Sequence, residues 1–205
     1  MKKATSDVLR IGLLLFAVSV FYWIIFNPVY SITKERVSAE QQTARSIALC
    51  LFVYAQNHDG HYPDGKTSTE VFQQLIDEGY ITDSAIFYAK LPGKIRTESK
   101  QLKAENVGWD VTCCVDSTSP DELPVVFLDG YKITYQAGSR AVPFDQRPRT
   151  WGQWLHRFVA TKKTVAVCYK DRSARSIQVD ADGSVPDFIP TDFDPKGKTY
   201  RQLTP

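Results

Sequence analysis

Residues Ile11–Phe26, IGLLLFAVSVFYWIIF, form a run of sixteen without a charge, diluted only by Gly12 and Ser19. Extended to Tyr30 the segment has twenty residues. As a helix it is about 30 Å long, the thickness of a bilayer's hydrocarbon core. Tyr22, Trp23 and Tyr30 crowd its far end, where amphipathic rings favour the membrane interface. Lys2, Lys3 and Arg10 flank the near end, which argues against a buried core helix and places residues 1–10 in the cytoplasm. Lys34, Arg36 and Arg45 on the far side oppose that orientation. A cleavable signal is the competing reading, with VSA at Val37–Ala39 as its processing site, but that site lies far downstream of the apolar run. The segment predicts an uncleaved single-pass anchor over 11–30 in the inner (cytoplasmic) membrane, with Ile11, Leu14, Phe16, Trp23 and Ile24 among its residues.

The remainder is expected on the extracytoplasmic side. Pro28 removes a backbone bond and predicts a bend. An amphipathic continuation then runs over 31–58, with Val37, Ala44, Ile47, Ala48, Leu51, Tyr54 and Ala55 at spacings near 3.6. From Ile47 to Ala55 the pattern is apolar nearly all round, which predicts burial on more than one side. The net charge of +2 points to neither nucleic acid nor an acidic substrate.

The stretch NHDGHYPDG, Asn57–Gly65, packs histidines and aspartates together. Asn57 or Gly60 can end the helix in a left-handed conformation, and Pro63 biases Tyr62 away from helix. A metal site needs three converging ligands, and His58, Asp59 and His61 match no established ligand spacing. The stretch reads as a helix stop with solvent-facing histidines. It opens a domain over 59–205.

A charged N-terminus, one span, an amphipathic continuation and the phrase ARSIALCLFVYAQNHDGHYPD together resemble the type IV pilin and type II secretion pseudopilin group. The phrase is most similar to the pseudopilin-like proteins of planctomycetes and verrucomicrobia. Ala44, Ile47, Ala48, Leu51, Tyr54, Ala55, Asn57, Asp59, Gly60 and Pro63 carry that pattern, and Leu123–Gly138, Val165–Val185 and Glu105–Val111 resemble the sheet region of the same group. The resemblance implies a pilin-like fold, a structural role, and partners among pilin-like subunits or secretion-apparatus proteins. One departure is plain: prepilins carry glycine followed by Phe-Thr-Leu-x-Glu, whereas Gly12 is followed by LLLFAV, with no carboxylate in the span.

The rest of the chain divides into short elements. Thr67–Glu70 begins a helix that buries Val71, Leu75 and Ile76 and stops by Gly79. A shorter helical piece starts at Asp83 or Ser84, and Leu91–Asn106 reads as a polar surface connection. Strands are predicted at Trp109–Val115, at Pro124–Leu128 and Tyr131–Gln136 across Asp129-Gly130, and at Thr164–Lys170 and Ala174–Asp180 across Asp171–Ser173. Asp182-Gly183 turns the chain into Ser184–Ile189. An antiparallel sheet of four to six strands packed on the long first helix gives an α+β fold, the form that the resemblance to pilins also implies. Between strands, Trp151, Trp154, Leu155, Phe158 and Val159 share one helical face. That helix reads as core-facing with a basic solvated side, or as a membrane-surface helix.

Alternation places Cys113 and Cys114 on opposite faces, and Cys168 with Ala166 opposite Val165, Val167 and Tyr169. A Cys114–Cys168 disulfide follows if their strands are neighbours, leaving Cys50 and Cys113 as buried thiols. Adjacent strand residues point apart, which disfavours zinc at Cys113, Cys114 and Cys168. Some major pseudopilins bind calcium near this end, and Asp180, Asp182 and Asp187 supply oxygen ligands, with Asp192 and Asp194 nearby. DADGS has too few ligands for an EF-hand, so the turn reading takes precedence and no cofactor is assigned. No catalytic motif or nucleophile partner for the histidines is evident, and no catalytic residue is assigned. The expected role is a membrane-anchored pseudopilin-like structural component. The alternatives are a non-polymerising anchored binding module and, third, an anchored hydrolase.

Overall fold

The computed structural model describes residues 15, 16, 18, 19, 39–144 and 164–205. Residues 15, 16, 18 and 19 are helical. The rest of the expected anchor, including Ile11, Leu14, Trp23 and Ile24, lies outside the described residues, as does the Trp151–Val159 helix. Among the described residues no helix is long and apolar enough to cross a membrane.

Ala39–Pro205 forms one compact α+β unit. Its first helix, α1, covers residues 39–57. The 3.6-residue row is the buried one: Ala44, Ile47, Ala48, Leu51, Tyr54 and Ala55 are each at most 9% exposed. The outer side is not covered. Leu49 and Val53 are 39% and 44% exposed, against the expectation of burial on more than one side. A run of apolar residues fixes neither how many faces are covered nor by what.

NHDGHYPDG stops α1 as its turn residues dictate. Asp59 and Gly60 take φ values of 53° and 83°, and Gly60 N–H reaches back to Ala55 O at 2.8 Å. The histidines are not both bystanders. His58 stacks on Tyr54, centroids 3.8 Å apart and 4° from parallel, and its Nδ1 donates to Tyr54 O at 2.8 Å. Its Nε2 lies 3.3 Å from Glu78. His61 stays exposed and pairs through its backbone with Asp116.

Helix α2 is Ser68–Asp77. Thr67 caps it by accepting from Glu70 N–H at 3.2 Å. Phe72 on its buried face stacks against Phe87 at 4.3 Å, and Phe87 belongs to the 3₁₀ turn Ser84–Phe87 that Asp83 caps.

Among the described residues seven strands follow: β1 Trp109–Cys113, β2 Pro124–Leu128, β3 Tyr131–Lys132, β4 Val142–Pro143, β5 Thr164–Tyr169, β6 Ala174–Gln178 and β7 Arg201–Leu203. Five make an antiparallel sheet in the order β6-β5-β2-β1-β7, and β3 and β4 pair separately. The β5–β6 hairpin turns at Asp171–Ser173 as the sequence predicts, with Arg172 at φ 68°. The expected β2–β3 hairpin does not form. Both edges of β2 are taken by β1 and β5, and β3 turns away to β4. Ser184–Ile189 makes only the single bridge Ala141–Val185 rather than a strand.

The central strands β1, β2 and β5 are buried on both sides. Phe127 meets Phe188 edge-on at 5.4 Å, and Tyr169 O–H donates to Phe188 O at 3.2 Å. The chain after β6 thereby covers the face that carries Asp110, Thr112, Phe127 and Tyr169. On the other face Cys168 feels the charge of Arg45 from α1. Gln41 Nε2 donates to Ala174 O, and Arg172 lies 4.9 Å over the Phe52 ring, which pins α1 to the β5–β6 hairpin.

Gly108 enters β1 through a close approach. A Cβ there would lie 2.6 Å from Ala89 Cβ and 2.8 Å from Ala89 N, and Gly108 N–H donates to Phe87 O at 2.9 Å. Gly108→Ala is expected to destabilise the protein by about 1–3 kcal/mol through overpacking against backbone. Urea unfolding of the full chain checks this, and an unchanged midpoint would contradict it.

Candidate functional site

Asp110 and Thr112 alternate with Trp109, Val111 and Cys113 along β1, so they share the face opposite α1. Alternation of this kind ordinarily marks a solvated row, yet Asp110 is fully buried and Thr112 is 5% exposed. Buried polar groups require partners. Thr112 Oγ1 donates to Pro124 O, and the Tyr135 hydroxyl lies 2.7 Å from it.

Gln202 supplies the rest. It sits opposite Thr112 in the β1–β7 ladder. Its Nε2 donates to Asp110 Oδ2 at 2.6 Å and also to Tyr131 O, while Oε1 accepts from Ile133 N–H at 3.0 Å. One amide thus joins β7, β1 and the start of the β3–β4 pair.

Among the described residues Asp110 Oδ1 has no hydrogen-bond donor. Burial pushes the Asp110 carboxyl up to about 8, and the charge of Asp129 adds to this, against the opposing effects of Gln202 and Lys94. A proton on Asp110 turns its like-charge contact with Asp129 into a hydrogen bond. Asp129 itself is paired with Lys94 at 2.8 Å, both side chains being largely buried.

Beside this network lies a cavity of about 540 Å³ lined by Lys132, Tyr135, Phe144, Lys198, Arg201 and Gln202, among others. Gln202 connects its wall to Asp110. Lys198 is committed to Asp116, whose carboxylate also accepts from Thr118 N–H at 2.8 Å. Burial works against the Asp116 charge, but Lys198 and Thr118 outweigh it and hold its pKa well below the usual carboxylate range. The arrangement suits an anionic or aromatic small group: cations and rings at the wall, with a neutral acid behind it.

The sequence-predicted site residues fall elsewhere. Cys114 and Cys168 are not joined, and all four cysteines are free. Strands β1 and β5 are separated by β2, about 10 Å across the sheet. Cys114 also lies three residues beyond the row Val111, Val126, Cys168. Both offsets exceed the roughly 7 Å limit on Cα separation in a disulfide. Asp180 pairs with Arg140, and Asp182 Oδ1 accepts from Ser184 N–H at 2.9 Å. Asp187 is not brought into a ligand set with them, and no group of three metal-capable side chains occurs among the described residues. Of the anchor residues only Phe16 is described, and it is 68% exposed.

Asp110, Gln202 and Tyr135 were not legible as a cluster, because nothing in WDVTC states that a second layer covers its polar row. Comparisons of the chain with protein-family models, with curated proteins and with solved structures give no match.

The raised Asp110 pKa gives a signed expectation. The folded state keeps this proton over a range where the unfolded chain loses it. Its effect is absent below about pH 4, lowers stability by about 1.4 kcal/mol per pH unit between about pH 4 and 8, and levels off above. Asp110→Asn, which retains a hydrogen-bond donor, is therefore expected to gain on the parent as pH rises from about 5 to 8. Chemical unfolding of both proteins across that range reads the difference, and a pH-independent difference would contradict the assignment.

Proposed function

We propose that the chain is a membrane-anchored, pseudopilin-like protein that works by protein–protein contact, tethered by residues 11–30 with residues 39–205 displayed outside the cytoplasmic membrane. The observation that carries this reading is the outer side of α1. Its inner row is buried, while Leu49 and Val53, one turn apart, are left 39% and 44% exposed. Covering what is still exposed of either side chain would contribute about 0.6–1.2 kcal/mol, which a neighbouring helix can supply. Leu15, Phe16 and Val18, at 64%, 68% and 58% exposed, are apolar side chains suited to lipid. The antiparallel sheet behind α1 is compatible with a pilin-like architecture, in which a helix stem supports a displayed sheet.

A second reading has its own observation. The cavity beside Gln202, with Lys132 and Arg201 at its wall, favours an anchored binding module for an anionic group that does not polymerise. The Gly12-LLLFAV sequence, which departs from the prepilin motif, points the same way.

Photo-crosslinking from position 53 separates the two. In membranes holding the full chain, a photoreactive residue replacing Val53 is expected to yield adducts between copies of the chain. A strictly monomeric product would contradict assembly and leave the binding-module reading.

A further inference from the structure

The end of β1 departs from strand geometry where two cysteines are adjacent. In a regular strand neighbouring side chains point to opposite faces. Here Cys113 closes β1 and Cys114 takes φ 62°, a left-handed conformation that costs a residue with a Cβ about 1–2 kcal/mol. The result is that both sulfurs lie on the same side, with Cys113 Sγ and Cys114 Sγ 3.1 Å apart. That is closer than two sulfurs rest in van der Waals contact. Cys113 is 1% exposed and Cys114 is open to solvent, and Arg201 is the cross-strand partner of Cys113 in the β1–β7 ladder. The strained, non-glycine Cys114 thereby places two nucleophiles in contact.

We infer that Cys113 and Cys114 form a vicinal dithiol that closes reversibly to a disulfide by exchange with a small-molecule disulfide. The exposed Cys114 thiolate attacks one sulfur of the reagent, the reagent's S–S bond breaks and one thiolate leaves. The Cys113 thiolate then attacks Cys114 Sγ, the 113–114 bond forms and the second thiolate leaves. The two protein thiols are oxidised by two electrons, one disulfide is reduced to two thiols, and the two protein protons pass to the departing thiolates. Hydrogen bonding to Cys113 holds the Cys114 thiol up, to about 11, so the first step is slow at neutral pH and accelerates in mild alkali. Adjacent Cα atoms are about 3.8 Å apart, nearer than the usual span of a disulfide. The closed ring is therefore more easily reduced than an ordinary structural disulfide. This inference is independent of whether the chain assembles or binds a ligand.

The test uses the full chain in detergent, incubated with glutathione disulfide at about pH 9, then denatured and alkylated. Of the four cysteines, two are expected to take label, Cys50 and Cys168, and the peptide holding residues 113 and 114 is expected to be two hydrogens lighter. Reduced glutathione in excess is expected to restore four labels. Four labels after oxidation, a glutathione adduct persisting on Cys114, or a link from either residue to Cys50, Cys168 or a second chain would each overturn the inference. Cys114→Gly keeps the left-handed backbone without strain and is expected to leave Cys113 fully labelled after oxidation. Cys113 remaining protected in that variant would also overturn it.

Discussion

Strands β1 and β2 are buried residue by residue on both faces, and this double cover is the constraint from which the rest of the unit follows. A sheet packed on one helix alone would leave Asp110 and Thr112 in water, where they need nothing from the protein. Once segments after β2 and β6 lie over them, each polar atom needs an internal partner or its burial costs about 1–3 kcal/mol. Gln202 and Tyr135 meet that need for Asp110 Oδ2 and Thr112 Oγ1 from distant parts of the chain, and Asp110 Oδ1 is left without a partner. β7 is only three residues long, yet it carries the amide that ties the β1 edge to the β3–β4 pair.

The opposite face is held by ordinary helix packing. The inner row of α1 and the Phe72–Phe87 stack fill that layer with apolar volume. The stop after Asn57 lets the chain reverse and lay Tyr62 N–H on Val115 O at 3.1 Å. His58 takes part by stacking on Tyr54 and meeting Glu78, which joins the end of α1 to the end of α2. The two layers thus differ in kind. One is apolar and follows a helical period; the other is polar at its centre and depends on specific hydrogen bonds.

That difference decides what the sequence reveals. The α1 row, the start of α2 within Thr67–Glu70 and the Asp171–Ser173 hairpin are set by local periods and turn chemistry, and each is found where the sequence places it. Asp129-Gly130 carries an equally good local hairpin signal, but β2 has no free edge, so tertiary pairing overrides it. RQL at β7 is too short and polar to announce a strand. Asp110 reads as solvated because alternation is silent about what covers a face. Cys113 and Cys114 are visibly adjacent, but alternation assigns them to opposite sides until the left-handed turn at Cys114 is known.

Hydrogen exchange tests the double-cover account most directly. If both faces of the central strands are protected by the whole unit, the amides of residues 109–113, 125–128 and 165–169 should exchange slowest in the native full chain. They should do so only through global unfolding, well behind the half-exposed β6 edge. Exchange of β1 and β2 as fast as that of β6, through local opening of the layer over Asp110, would contradict it.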